Sequence, residues 1–220
     1  EWAIARGART VVMRPAAVWT VNDGVLSPSH PHFDPFWSRV NEAGITVVVH
    51  AADSGYSTQG YVNDGFTSSG LGGAMAPNIK HFNIERAAYD FLATLCFERL
   101  FERFPNVRIA SIENGAEFLP DLFRKLGQSR DRLAVTGYYK EDPADMFREH
   151  VWINPFWEDD VYEVEALMGA DRVIFGSDWP HIEGMPTPLD YLAELTEFDE
   201  QKKRLILRDN VLALNELRPS

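Results

Sequence analysis

Three residues of the kinds that bind metals or carry protons stand where apolar β-like runs stop. His50 ends Ile45-Thr46-Val47-Val48-Val49-His50, Glu113 follows Val107-Arg108-Ile109-Ala110-Ser111-Ile112, and Asp178 follows Val173-Ile174-Phe175-Gly176-Ser177. An imidazole and a carboxylate delivered by separate strands are a ligand pair for zinc, manganese or iron. Such an ion brings the pKa of its water to about 7 and polarises a carbonyl or carboxylate. On this pattern His50 and Asp178 are candidate metal ligands, and Asp178 and Glu113 candidate acid–base groups. Arg14 and His181 are candidates to hold a substrate carboxylate. Asn154 ends a further apolar run, and Trp157 lies just beyond it, where an aromatic face would meet substrate. Each residue also has a plainer reading. A histidine ending an apolar strand can simply be hydrogen-bonded, Glu113 and Asp178 can cap the helices that follow, Arg14 can form a salt bridge, and the tryptophans can pack. His30-Pro31-His32 imitates a His-x-His metal pair, but it sits in a proline-rich loop ahead of a helix start and reads as loop structure.

These side chains act together only if the elements behind them bring them to one place. Residues 9–15 read as a strand ended by proline, and Asp34-Pro35 opens a helix over 36–43 that Gly44 closes. The β-branched run to His50 follows. Residues 53–80, rich in Gly, Ser, Thr and Asn, read as a lid or binding loop. The pattern then predicts a helix over 83–104, a strand from Val107, a short helix over 118–126 closed by Gly127, and an irregular stretch over 128–148. A strand over 150–154, a helix over 161–168, the strand leading to Asp178 and two helices over 189–217 complete the chain. Alternation of strand, loop and helix is the signature of parallel βαβ units, so the fold class is α/β. Parallel strands carry Arg14, His50, Glu113, Asn154 and Asp178 to the same rim, where α/β barrels keep their chemistry.

Composition narrows the partners. A net charge of −12 over 220 residues argues against nucleic acid and anionic membranes, which reward basic patches. One cysteine, Cys96, allows no disulfide framework, which fits a cytoplasmic setting. No apolar run reaches membrane-spanning length and no linker interrupts the pattern, so residues 1–220 are expected to form one domain with a small-molecule substrate.

The runs ending at His50, at Glu113-Asn114-Gly115 and at Asp178-Trp179-Pro180 resemble the amidohydrolase superfamily, and more narrowly its branch of aminocarboxymuconate-semialdehyde and resorcylate decarboxylases. Arg208-Asp209-Asn210-Val211-Leu212-Ala213-Leu214 resembles that branch's closing helix. The resemblance implies a (β/α)8 barrel of TIM type carrying a divalent metal, zinc first with manganese or iron as alternatives, and a possible homodimer. It implies that this chain is an incomplete barrel covering about strands 4 to 8, with the strands before it absent. His50 matches the fifth-strand ligand and Asp178 the eighth-strand aspartate. The chain starts after the position of the first-strand His-x-His pair, and Glu113 stands where the decarboxylases keep a catalytic histidine.

The first expectation is therefore a metal-dependent hydrolase of a small organic acid, ester, lactone or amide. The alternative is a metal-dependent non-oxidative decarboxylase of an aromatic or muconate-type acid. A non-catalytic barrel fragment or scaffold is the third reading.

Overall fold

The structure, a computed structural model, describes residues 1–52, 79–181 and 184–218, with the backbone alone for 79–85. Most of the expected lid over residues 53–80 lies outside the described residues. The first strands are β1 (Thr10–Met13), β2 (Val18–Trp19) and β3 (Val25–Leu26), followed by helix α1 (Asp34–Ala43) and strand β4 (Thr46–His50). Helices α2 (Ile79–Phe97) and α3 (Leu100–Arg103) lead to β5 (Arg108–Ile112), then α4 (Leu119–Leu133), α5 (Pro143–His150), β6 (Val151–Ile153) and α6 (Val161–Met168). The last helical stretch joins α7 (Glu200–Arg204), a π-turn (Leu205–Asp209) and α8 (Asn210–Leu214).

The main sheet has the order β1-β4-β5-β6, all parallel, and β2 and β3 form a small antiparallel hairpin beside it. Side chains alternate strictly between two environments, as a strand's period of two requires. Val11, Val47, Val49, Ile109, Val151, Ile153 and Val173 join the large core beneath the helices, with Trp37, Leu92, Leu95, Leu119, Leu122 and Phe147. Val48, Ala110, Ile112, Trp152 and Ile174 point to the other face, where Leu214 packs against them. On that inner face Val12 is 65% exposed. A parallel sheet with helices on one face and an inward-facing second layer is an incomplete (β/α)8 barrel.

Several elements differ from the sequence expectation. The helix expected over 83–104 starts at Ile79 and breaks between α2 and α3, where Arg99 takes a left-handed φ of 55°. Gly127 does not end α4. The buried stripe Leu119, Leu122 and Leu126 carries the helix through it to Leu133. The stretch expected to be irregular contains α5, opened by Asp142, whose carboxylate accepts from the Ala144 amide, with Pro143 in the first turn. His150 is the last residue of α5 rather than the first of a strand. Its ring stacks on Phe101 at 4.5 Å and donates to the Val107 carbonyl at 2.7 Å, and burial holds its pKa below the ordinary histidine value. The run before Asp178 makes only a bridge, Ile153 to Val173, and the two closing helices are a 3-10 segment (Pro188–Ala193) and the single α7–π–α8 rod. No helix among the described residues is long and apolar enough to cross a membrane.

Candidate active site

Register decides which side chains meet. Met13 pairs with Val49, His50 with Ile112 and Ser111 with Ile153, so Arg14, His50, Ile112 and Asn154 lie level along the carboxyl ends of the strands. Of these, Arg14 and His50 are exposed and Asn154 is buried. Glu113 comes one residue later and would continue its strand on the helix side. Instead it adopts a left-handed φ of 59°, and its carboxylate reaches across to the neighbouring strand, with Oε2 at 2.9 Å from His50 Nε2. The other ring nitrogen of His50, Nδ1, lies 2.9 Å from the Ala51 carbonyl and donates to it. That bond fixes the tautomer, so Nε2 carries the lone pair in neutral imidazole. At the contact with Glu113 the pair therefore shares one proton, or each turns its lone pair to a cation.

Asp178 repeats the device. It is the second carboxylate held at positive φ, 55°, and its Oδ2 lies 3.5 Å from His181 Nδ1. The loop folds back on it: the His181 and Met185 amides donate to the carbonyls of Asp178 and Ser177. Gly184 lies so close that a Cβ there would sit 2.5 Å from the Asp178 carbonyl oxygen. Left-handed backbone at a residue with a side chain is uncommon and clusters at working sites. Here it occurs at both candidate carboxylates.

The structure thus joins His50 to Glu113 and Asp178 to His181, all four at the same end of the sheet. The imidazole and carboxylate donors suit a divalent ion in kind. Among the described residues, no three His, Cys, Asp or Glu side chains converge on one metal-sized point. Trp157 is half-exposed beyond β6, whereas Trp152 is buried on the inner face beneath the guanidinium of Arg172. His30 accepts the His32 amide at 3.2 Å and caps a 3-10 turn (Pro31–Phe33), the loop role expected of it. A cleft of about 310 Å³ between the start of α1 and the α2–α3 junction is lined by Arg103, paired with Asp34, and Glu98, which accepts from Ser27 and Ser29.

Two rim residues had no separate signal in the sequence. Asp159 accepts the Phe156 amide at 2.7 Å, and burial pushes its carboxyl above the usual range. Asn114, fully buried, donates from Nδ2 to the Val49 and Ile112 carbonyls, both at 2.9 Å.

The amidohydrolase family profile matches residues 5–214. No curated protein matches the chain. Among solved structures, an amidohydrolase from Mycobacterium avium subsp. paratuberculosis K-10 is 36% identical with a TM-score of 0.86, over 99% of this chain and 53% of that one. A 5-carboxyvanillate decarboxylase from Sphingomonas paucimobilis has a TM-score of 0.67 at 17% identity, over 96% and 59%. A dihydroxybenzoic acid decarboxylase from Polaromonas sp. JS666, solved with manganese and 2-nitroresorcinol, has a TM-score of 0.64 at 20% identity, over 88% and 56%. The chain spans about half the length of the first of these structures. It belongs to the amidohydrolase family.

Proposed function

We propose that this amidohydrolase-family chain carries part of the active site of a metal-dependent carboxy-lyase that removes carbon dioxide from a small aromatic or muconate-type acid. The observation that carries the reading is the His50–Glu113 contact of 2.9 Å at the carboxyl end of parallel strands. It puts a carboxylate within proton-sharing distance of Nε2, the His50 nitrogen that the Ala51 carbonyl does not hold. The decarboxylases among the similar folds favour loss of carbon dioxide over the hydrolysis that the sequence put first.

In this reading His50 Nε2 and Asp178 would hold part of a divalent ion's shell, with Mn²⁺ the first to test, given the manganese in the Polaromonas structure, and Zn²⁺ the second. Bound there, the ion would supply a positive centre for the substrate's carboxylate or neighbouring hydroxyl oxygen. The chain's own residues do the rest. Arg14, level with His50, orients the substrate carboxylate. Trp157 offers an aromatic face at the rim. Glu113 holds a proton at Oε2 and delivers it to the ring carbon as the bond to the carboxylate breaks. A carbon–carbon bond is lost, a carbon–hydrogen bond forms, and carbon dioxide leaves with no net use of water.

The test is an assay of the full-length, Mn²⁺-loaded protein on dihydroxybenzoates and on lactones, run in deuterium oxide. Carbon dioxide release with one deuterium at the vacated carbon is expected. Glu113→Gln should lower the rate by about 10²–10⁴-fold, the usual worth of a positioned acid, while still binding the ion. Lactone opening without carbon dioxide release would favour the hydrolase reading, and an unimpaired Glu113→Gln enzyme would remove Glu113 from the chemistry.

A further inference from the structure

The His50–Glu113 contact joins two side chains from different strands, one of them on strained backbone, so something must hold the two strand ends in register at that point. The ladder bonds contribute. The Ala51 amide donates to the Ile112 carbonyl at 3.1 Å, just past His50. The remaining link is Asn114. Its single amino group lies 2.9 Å from the Val49 carbonyl, the peptide immediately before His50. It lies 2.9 Å from the Ile112 carbonyl, the peptide immediately before Glu113, and 3.1 Å from Ser111 Oγ. An amide nitrogen has two hydrogens, so these three acceptors share them. The side chain is 0% exposed, and its Oδ1 is buried with no hydrogen-bond partner among the described residues. Among the described residues its side chain is thus hydrogen-bonded by its amino end alone, and that end spans the gap between the peptides that carry the candidate histidine and carboxylate.

Asn154 reinforces the arrangement from the far side. The Glu113 amide donates to its Oδ1 over a long 3.5 Å, its Nδ2 donates to the Pro155 carbonyl at 3.0 Å, and Gly176 leaves no room for a Cβ against it. The bonds of Asn114 are shorter and touch both candidate residues' peptides, so the weight falls on Asn114.

We infer that Asn114 is a positioning residue of the rim site: its side-chain amide clamps the carboxyl ends of β4 and β5 and so sets the separation of His50 and Glu113. The inference rests on the proposed metal-dependent reading only for its effect on metal binding; the geometric effect stands alone. Buried polar groups one step removed from metal ligands fix ligand orientation, and their loss commonly weakens binding by about 10–100-fold.

The experiment compares full-length wild type with Asn114→Asp and the milder Asn114→Ser. Asn114→Asp keeps the size and exchanges the amino donor for an oxygen, whereas Asn114→Ser keeps one donor. The control is Asn210→Asp, the same exchange at a buried amide that donates to the Ala170 and Val173 carbonyls, away from the rim. Two quantities are read for each: the Mn²⁺ dissociation constant by calorimetry, and the His50–Glu113 distance in metal-free crystals. Asn114→Asp should weaken Mn²⁺ at least tenfold and open the contact beyond hydrogen-bond reach, Asn114→Ser should fall between, and Asn210→Asp should lose thermal stability while binding Mn²⁺ as wild type does. A contact that stays closed in both Asn114 variants overturns the inference. Equal loss of metal in Asn210→Asp also overturns it, since general loosening would then suffice. If wild type binds no Mn²⁺, the proposed function fails while the crystal distances still decide the role of Asn114. If Asn114→Asp does not fold, Asn114→Ser supplies both readings.

Discussion

At Glu113 function and stability pull in opposite directions. Its φ of 59° places the carboxylate 2.9 Å from His50, yet left-handed backbone costs a residue with a Cβ about 1–2 kcal/mol that glycine does not lose. The His50 contact returns little, since the imidazole is half-exposed and such pairs contribute at most about 1 kcal/mol. Glu113→Gly should therefore unfold at a denaturant concentration equal to or above wild type, and Glu113→Ala below Glu113→Gly by about 1 kcal/mol, both without activity. Chemical denaturation of the three proteins measures this, and an alanine variant as stable as the glycine variant would show that the site stores no strain. The strain also explains what the sequence could and could not reveal. His50 and Glu113 were legible as polar residues ending apolar runs. Their contact was not, because strand alternation sends residue 113 to the helix side and only the left-handed turn brings it back. Asn114 was illegible for a related reason: an asparagine beside a glycine reads as turn chemistry, and nothing in its type says that its amide faces two carbonyls of different strands.

Among the elements, strands were easier to foresee than helices. Apolar β-branched runs located β1, β4 and β5 to within three residues at either end, and their parallel register put the candidate side chains at one end. Local signals misled where tertiary packing overrode them. Gly127 was expected to stop α4, but Leu122 and Leu126 are buried on its core side, and the helix continues to Leu133. The run before Asp178 has strand composition, yet only Val173 forms a bridge, because Gly176 closes against Asn154 and the loop folds back at Gly184. The α4 result has a measurable consequence. Gly127 sits inside the helix, its φ is not positive, and a Cβ there would meet nothing within 4 Å. Gly127→Ala should then stabilise the protein by about 0.5–1 kcal/mol through reduced unfolded-state freedom, seen as a higher melting temperature with unchanged activity. A lower melting temperature would mean that α4 is not helical through this position in solution.

Across the whole molecule the two ends of the sheet have different work. The carboxyl end carries the His–carboxylate pairs, and the opposite end is closed by the chain's last helical turn, a division usual in barrels, where residues at the amino end serve stability. Arg108, only 4% exposed, organises that closure. Its guanidinium donates to the Ala213, Glu216 and Gly44 carbonyls at 2.9, 2.7 and 2.6 Å. Thr46 donates to the Leu214 carbonyl and Arg9 to that of Asn215. The charge lies against carbonyls at the end of α8, the favourable end of a helix for a cation. Gly44 completes the joint, because a Cβ there would fall 2.1 Å from the Arg218 backbone. Hydrogen bonds from a charged donor contribute about 1.5–3 kcal/mol each, so Arg108→Met should destabilise the fold by at least that much and free the segment after residue 210. Arg108→Lys should be intermediate, since one ammonium cannot match three carbonyls with a planar fork. Limited proteolysis under conditions where both variants remain folded separates local release from global unfolding. Faster trimming of the C-terminal residues, with the rest of the chain resistant and the His50–Glu113 contact retained, would establish that the floor of the sheet is held independently of its rim. Trimming at the wild-type rate would mean that Leu214 packing, rather than Arg108, keeps the floor shut.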